Sequence, residues 1–176
     1  MGRRRFALVY ATALAVLVLD QITKSLMVAR LAGNPPFELL GSFVQLRYTT
    51  NTGGAFSLLA GFPLFFAIMA VVVMVAIAIY ARRVESPWVL ATLGLLLGGA
   101  IGNFSDRLLR GDGLLHGEVV DFVDIGSFPV FNVADSAITI GAILLAVLVT
   151  FAEQPKEHPE PDGEPGSETG SGSRTR

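Results

Sequence analysis

The sequence predicts a mostly α-helical membrane protein, with four transmembrane helices and a small β element and loops on one side of the bilayer. Hydrophobic residues make up 52% of the 176 residues, more than a soluble domain of this size readily hides in one core. The stretch 62–80, "FPLFFAIMAVVVMVAIAIY", contains no charge. At about 1.5 Å per residue it reaches across a hydrocarbon core of about 30 Å. Three further apolar runs complete the pattern.

The four predicted spans follow in chain order. Residues 6–29 are apolar except for the block "DQITK", 62–80 are uncharged, 88–104 are apolar and rich in Gly, and 134–152 are apolar after Asp135. The first span has an alternative interpretation as a secretory signal peptide, because "RRRF" precedes an apolar stretch. Polar residues without an A-x-A-like site follow it, and further spans come later, so a retained helix is favoured.

Lys and Arg near the span ends predict the orientation. One side of the membrane receives Arg3, Arg4, Arg5, Arg82, Arg83 and Lys156, and the other receives Arg30, Arg47, Arg107 and Arg110, with Lys24 at the border. The cluster at the start of the chain places both termini in the cytoplasm. We therefore expect a multi-pass membrane protein with extracytoplasmic segments at about 30–57 and 105–133.

The first extracytoplasmic segment contains "FELLGSFVQLRYTTN", in which a Gly-Ser turn signal separates two short stretches. The second stretch alternates, so a small hairpin or sheet is predicted at the membrane surface. Such a hairpin, close to a site in the membrane, is a candidate lid.

The chain divides into a membrane domain, residues 1–152, and a tail, residues 153–176. The tail is rich in Pro, Gly, Glu and Ser and predicts disorder. It holds six acidic and three basic residues, which leaves the remainder at a net +1, so no nucleic-acid partner is indicated. The absence of Cys excludes disulfides, thiol nucleophiles and thiolate metal sites.

Polar residues at membrane depth are the first candidates for function. Asp20 and Lys24 are four residues apart and share a helix face, either as a mutual ion pair or with a positioning role near a site. At the end of the third span Asn103 and Arg107 share a face. On the residues alone, an Asp106–Arg107 ion pair at the helix end is favoured over a site role.

Glycines give the third span a surface of small residues. Gly98, Gly99 and Gly102 allow another helix or a ligand to approach closely. Helix packing is the favoured explanation.

Two aspartates flank the start of the fourth span. Asp121 lies among apolar residues, and Asp135, like Asn132, is placed to cap the fourth helix. Asp121 and Asp135 are fourteen positions apart, and the stretch between them includes "GSFP", enough to loop out and return to the same membrane face. Two carboxylates close together in a low dielectric share a proton. Such a pair supplies one base to activate water and one acid to polarise a carbonyl, as in an aspartic protease.

Other chemistries fit the residues less well. Histidine-based nucleophilic catalysis has to use His116, and no G-x-S-x-G elbow exists. A Ser-Lys dyad built on Lys24 is disfavoured because Asp20 is already within its reach. A carboxylate metal site fits by ligand type, but its spacing matches no ordered metal loop. Its ligands would be drawn from Asp106, Asp112, Asp121, Asp124 and Asp135.

Two rival functions stay open at this point. One is a non-enzymatic, proton-coupled four-helix membrane carrier subunit, in which Asp20 and Asp135 relay protons and Asp121 is dispensable. The other is a metal-dependent lipid-headgroup enzyme.

Five motifs in order make the sequence resemble a known family. They are "DQITK", "NTGGAFS" at 51–57, "GGAIGNFSDR" at 98–107, "VVDF" at 119–122 and "FNVADSAITIG" at 131–141. This set resembles the lipoprotein signal peptidases, the type II signal peptidases of bacteria, over nearly the whole chain up to about Phe151.

The resemblance implies roles for individual residues. Asp121 and Asp135 would form the catalytic pair of an aspartic endopeptidase. Residues implied to line or support the site are Asp20, Lys24, Asn51, Gly53, Asn103, Asp106, Arg107 and Asn132. The family's usual "NTGAAFS" carries Gly54 in this chain, and the loop between the two catalytic motifs is short.

The resemblance also implies the substrate, a prolipoprotein whose cysteine already carries a diacylglyceryl group, cut just before that cysteine. The expected partners are therefore this substrate and membrane lipids. No cofactor and no metal are expected, and the protein is expected to be a monomer.

Overall fold

The computed structural model describes residues 2–52, 63–111 and 115–152, with four helices and three strands in that part of the chain. The helices are α1 (Gly2–Leu31), α2 (Pro63–Tyr80), α3 (Pro87–Leu109) and α4 (Val133–Ala152). The strands are β1 (Phe37–Leu40), β2 (Val44–Asn51) and β3 (Val119–Ile125). The predicted tail, 153–176, lies outside the described residues.

Each predicted span coincides with a helix, which confirms the mostly helical fold class. Within the described ranges, three helices are long and apolar enough to cross a membrane: Phe6–Leu31, Pro87–Leu109 and Val133–Phe151. The apolar part of α2, Leu64–Tyr80, is shorter. At 1.5 Å per residue it extends about 25 Å, somewhat less than a typical hydrocarbon core.

Helix α3 packs between α1 and α4, and its glycines make the close approach possible. A Cβ on Gly98 would lie 2.6 Å from the Ala13 carbonyl oxygen of α1, and a Cβ on Gly99 would lie 2.5 Å from the Ala134 carbonyl oxygen of α4. Both distances are shorter than real Cβ contacts, so any larger residue would force the helices apart. The helix-packing explanation of these glycines is confirmed.

The β element is a three-stranded antiparallel sheet in the order β1-β2-β3. The predicted hairpin is confirmed as β1 and β2, with Gly41 at a φ of +54° in the turn between them. The prediction missed β3, which it treated as loop. β3 is largely buried and nearly continuously apolar, so it lacks the alternation that reveals a half-exposed strand.

Candidate active site

Asp121 lies in the middle of β3, where the sheet meets the helices. Its side chain is buried, and its backbone is paired with Thr49 of β2. The side-chain amides of Asn51 and Asn132 donate to its two carboxylate oxygens at 3.1 and 2.6 Å. Burial and the nearby charge of Asp135 together raise the pKa of Asp121 to about 6, against the hydrogen bonds from the two asparagines, which lower it.

Asp135 lies in the first turn of α4, and Asn132 is the residue that caps this helix. The Asp135 backbone N–H donates to Asn132 Oδ1 at 2.9 Å, and the Asn132 N–H donates to Asp135 Oδ2 at 3.3 Å. This reciprocal pair is a capping box. Of the two residues predicted as possible caps, Asn132 is the N-cap and Asp135 is the third helical residue.

Two asparagines join the two aspartates. The Asn132 side chain donates to Asp121 while its oxygen accepts from the Asp135 backbone. Asn103, on α3, donates to Asp135 Oδ1 at 2.7 Å and accepts from Asn132 Nδ2 at 3.3 Å. The carboxylates of a strand and a helix are therefore held against one cavity by a shared amide network.

Lys24 anchors this network from α1. Its ammonium lies 2.9 Å from Asp20 Oδ2, 2.8 Å from Asp106 Oδ2 and 2.9 Å from Asn103 Oδ1. The Lys24, Asp20 and Asp106 side chains are fully buried. The predicted Asp20–Lys24 ion pair is confirmed, and through Asn103 it extends to Asp135. The two interpretations of that pair are therefore compatible.

Asp20 also stabilises the start of α4. Its Oδ1 accepts the Ala134 backbone N–H at 2.9 Å, one of the amides that a helix N-terminus leaves without an intrahelical partner. A carboxylate in this position interacts favourably with the positive end of the helix dipole. Asp20 therefore fixes the turn that carries Asp135.

The favoured Asp106–Arg107 ion pair is wrong. Asp106 pairs with Lys24 and, at 2.8 Å, with Arg110 one helical turn further on. Consecutive helix residues point in different directions, whereas residues four apart share a face. Asp106 Oδ2 also accepts the Val120 N–H at 3.3 Å, which ties α3 to β3. These contacts with α1 and β3 agree with the supporting position that the resemblance implies for Asp106.

Arg107 points to the other side of α3. Its Nη1 donates to the Asn103 carbonyl oxygen at 3.1 Å, and its guanidinium lies 5.5 Å from the Phe66 ring centroid of α2. Arg107 Nε is buried and has no acceptor among the described residues. The Arg107 side chain lines the same cavity as Asp121 and Asp135, so its guanidinium is close to both carboxylates.

The cavity has a volume of about 1050 Å³ and two chemically different parts. Apolar side chains of α2 and α4, including Met69, Val73 and Ile138, form one wall. Residues of β2, including Arg47 and Asn51, form a polar end beside Asp121. The arrangement suits a ligand with an apolar part and a peptide part.

Three contributors were missed by sequence reasoning. Gln21 donates within 3.2 Å to Asp20, to Asp106 and to the Gly102 carbonyl, and Arg110 pairs with Asp106. Gln21 lies inside the quoted "DQITK" block, so the motif contained it, but spacing alone did not reveal its partners. Arg47 is the third and lies at the polar end of the cavity.

Two remaining predictions concern Gly53 and metal binding. Gly53, with its neighbour Gly54, lies outside the described residues. Within residues 2–52, 63–111 and 115–152, no group of three or more His, Asp or Glu side chains is arranged to hold a metal ion.

Comparison with known proteins adds independent information. The family model described as "Signal peptidase (SPase) II" matches residues 12–151. A lipoprotein signal peptidase of Rhodococcus jostii (strain RHA1) is 44% identical over 152 residues, which cover 86% of this chain and 77% of that protein. The enzyme of the same name from Streptomyces coelicolor (strain ATCC BAA-471 / A3(2) / M145) is 45% identical over 84% of this chain and 72% of its own length.

Solved structures agree with the sequence matches. A bacterial membrane enzyme determined by the in meso method at 2.3 Å resolution superposes with a TM-score of 0.72 at 32% identity, covering 86% of this chain and 93% of that one. A second, at 1.9 Å resolution, gives a TM-score of 0.69 at 31% identity and covers 84% and 94% of the two chains.

Proposed function

This chain belongs to the signal peptidase II family, and from that premise we propose that Asp121 and Asp135 are the catalytic pair with which it removes signal peptides from prolipoproteins. The observation that carries the proposal is the pair of carboxylates that line one cavity and are bridged by Asn132. The proposed bond is the amide just before a cysteine that carries a diacylglyceryl group.

The chemistry requires one shared proton. One carboxylate takes a proton from water, and the resulting hydroxide attacks the scissile carbonyl while the protonated partner donates a hydrogen bond to its oxygen. The tetrahedral diol collapses as the acid protonates the leaving amine. No covalent acyl-enzyme forms in this sequence of steps.

The environment of Asp121 supports this division of roles. Because burial and Asp135 raise its pKa to about 6, Asp121 retains a proton at a higher pH than an ordinary aspartate. Two carboxylates facing one cavity cannot both ionise cheaply, so they hold one negative charge between them. That is the protonation state the first step needs.

The surrounding polar residues have supporting roles in the proposal. Asn51 and Asn132 orient Asp121, and Asn103 orients Asp135. The network is held in place by the buried ion pairs of Lys24 with Asp20 and Asp106. The guanidinium of Arg107, which lines the cavity, donates to a backbone oxygen of the substrate, and Gly53 is proposed to lie beside the site on the basis of its motif.

The cavity suits a lipid-modified peptide. Acyl chains would stay between α2 and α4, where the wall is apolar, and the peptide would pass along the polar end at β2. Substrate would then diffuse in the plane of the membrane and present its scissile amide beside both carboxylates. The hairpin of β1 and β2 remains a proposed lid, supported by the position of β2 at the cavity.

The proposed setting is the cytoplasmic membrane, with both termini in the cytoplasm and the active site near the extracytoplasmic face. The distribution of Lys and Arg supports this orientation. The peptidase unit is proposed to span residues 1–152 and to act as a monomer, since one chain supplies every group in the pair and its support.

The test is cleavage of a diacylglyceryl-modified prolipoprotein by detergent-purified protein, comparing wild type with Asp121→Asn and Asp135→Asn. Each variant should lose at least about a thousandfold in kcat, because acid and base act as a unit. Asp121→Asn should keep or raise Tm at pH 7.5, since ionising this buried group costs stability above its raised pKa.

The matched control is Glu38→Gln, which removes an exposed carboxylate from β1 of the same sheet and should leave kcat unchanged. A chelator should have no effect. If Asp121→Asn still cuts, the aspartic pair is wrong and Asp135 has another role, such as completing the cap of α4 with Asn132. Loss of activity with chelator would favour the metal-dependent enzyme instead.

A further inference from the structure

Arg47 lies at the polar end of the cavity and belongs neither to the catalytic pair nor to its buried support. A register shift between Leu46 and Thr49 places Arg47 in a bulge of β2. Its side chain lines the cavity and is 44% exposed, whereas the neighbouring Asp121 is buried. Bulges re-aim side chains and often occur beside active sites.

The guanidinium is held along one edge. Arg47 Nε donates to Asp124 Oδ2 at 2.7 Å, and Gln45 Nε2 donates to the same oxygen at 2.8 Å. The Nη groups of Arg47 donate to no acceptor within the described part of the chain. Because a guanidinium carries five N–H donors in a rigid fork, a second edge is available to an anionic ligand.

The distance along β2 indicates which part of a ligand reaches Arg47. Thr49 is paired with Asp121, and Arg47 precedes Thr49 by two residues. Two strand residues extend about 6.6 Å, which is also the length of two residues of an extended peptide. A side chain one or two residues from the scissile bond therefore lies at the level of Arg47.

The polarity of the cavity indicates the direction in which the substrate chain runs through it. The apolar wall of α2 and α4 suits the signal peptide and acyl chains, so the residues that follow the modified cysteine run along the polar end formed by β2. An arginine there complements a carboxylate.

We propose that Arg47 is a specificity-determining residue that binds an acidic side chain one or two positions after the lipid-modified cysteine of the substrate. The proposal rests on the proposed function. It adds a preference among substrates that the catalytic pair by itself does not create.

The test compares diacylglyceryl-modified prolipoproteins that carry Asp, Asn or Lys at each of the two positions after the cysteine. With wild type, kcat/KM should be about three- to fivefold higher for Asp than for Asn, the size of a partly exposed charge pair. Lys should be the poorest of the three. High salt should reduce the preference, because the pair is accessible to ions.

Variants at Arg47 should change this ratio. Arg47→Gln should bring the Asp/Asn ratio to about one, and Arg47→Glu should favour Lys. The double variant Arg47→Gln/Asp124→Asn should behave like Arg47→Gln, which excludes an effect of leaving Asp124 unpaired. Arg30→Gln removes an exposed positive charge from the end of α1 and should keep the wild-type ratio.

Two outcomes would overturn the proposal. One is a wild-type enzyme that cuts Asp, Asn and Lys substrates equally. The other is an Arg47→Gln variant that loses the same factor on all three, and only in vesicles containing anionic lipid, which would assign Arg47 to a lipid headgroup. In both cases the wild-type enzyme still cuts the Asn substrate, whereas failure of the proposed function would leave no cleavage of it.

Discussion

Asn132 serves both the fold and the site with one side chain. Its oxygen caps α4, and its amide nitrogen donates to Asp121 at 2.6 Å. If this position only capped the helix, Ser or Asp could replace Asn, since both also cap well. Either exchange here would remove the amide donor that faces Asp121, so both requirements together select Asn.

The hydrogen bond from Asn51 predicts a change in pH dependence. This bond lowers the pKa of Asp121 against the effect of burial, so Asn51→Ala should raise that pKa above its wild-type value of about 6. The shared proton would then be retained to higher pH. The alkaline fall in kcat/KM, which reports groups of the free enzyme, should shift to higher pH.

The comparison variant is Gln45→Ala on the same strand. Its amide donates to Asp124 and not to Asp121, so the alkaline fall in kcat/KM should occur at the same pH as in wild type. A shift to lower pH in Asn51→Ala would contradict the assignment of Asp121 to the catalytic pair.

At the residue scale, sequence reasoning selected residues that the structure brings together, but it misassigned some of their partners. Asp121, Asp135 and Asn132 were recognisable by type and motif. The Asp106–Arg107 pair was wrong because adjacency along the chain was given more weight than the helix face. The true partners, Lys24 and Arg110, depend on packing between helices and on one turn of α3.

At the scale of elements, the glycine surface of α3 sets how α4 approaches the site. Gly98 lies against α1 and Gly99 against the Ala134 carbonyl oxygen, in the turn that carries Asp135. Gly98→Ala and Gly99→Ala should each cost about 1–3 kcal/mol through overpacking. Because only the second displaces α4, Gly99→Ala should show the larger loss of kcat.

Thermal unfolding and single-turnover cleavage of the two variants provide the measurement. Tm should fall by similar amounts in both, so stability alone cannot account for the difference in kcat. Equal losses of kcat would show that the position of α4 is not what Gly99 protects.

The elements themselves were predictable to different degrees. Long apolar runs predicted the helices closely, because hydrocarbon leaves the backbone few alternatives to a helix. The hairpin had a turn signal and an alternating strand. β3 had neither signal. It pairs with β2 on one edge and with Phe131 on the other, so its sequence resembles a continuous buried segment and not an alternating strand.

At the scale of the whole molecule, Lys24 joins parts of the chain that are distant in sequence. Its ammonium neutralises Asp20 on α1 and Asp106 on α3 in a fully buried position. Lys24→Met should destabilise the protein by about 3–5 kcal/mol, because Asp20 remains buried without its cation and Asp106 keeps only Arg110. Tm in detergent is the measurement.

Arg30→Met, an exposed base on the same helix, is the matched change and should shift stability by less than about 0.5 kcal/mol. A Lys24→Met variant as stable as wild type would show that the buried carboxylates find other partners.

The overall arrangement was only partly predictable. Composition and periodicity gave the number and order of the helices, and the motifs placed the candidate residues at helix ends. The hydrogen bond from Val120 to Asp106, which joins β3 to α3, links residues fourteen positions apart. The one from Ala134 to Asp20, which joins the start of α4 to α1, links residues 114 positions apart. No local pattern encodes such contacts.

The capping box of Asn132 and Asp135 has a consequence for inhibitor resistance. A compound that hydrogen-bonds to these two side chains engages groups that the chain uses to begin a helix. A resistance mutation there would weaken both the enzyme and its fold. Escape would have to come from the apolar wall or from Arg47, so compounds confined to the polar centre face the higher genetic barrier.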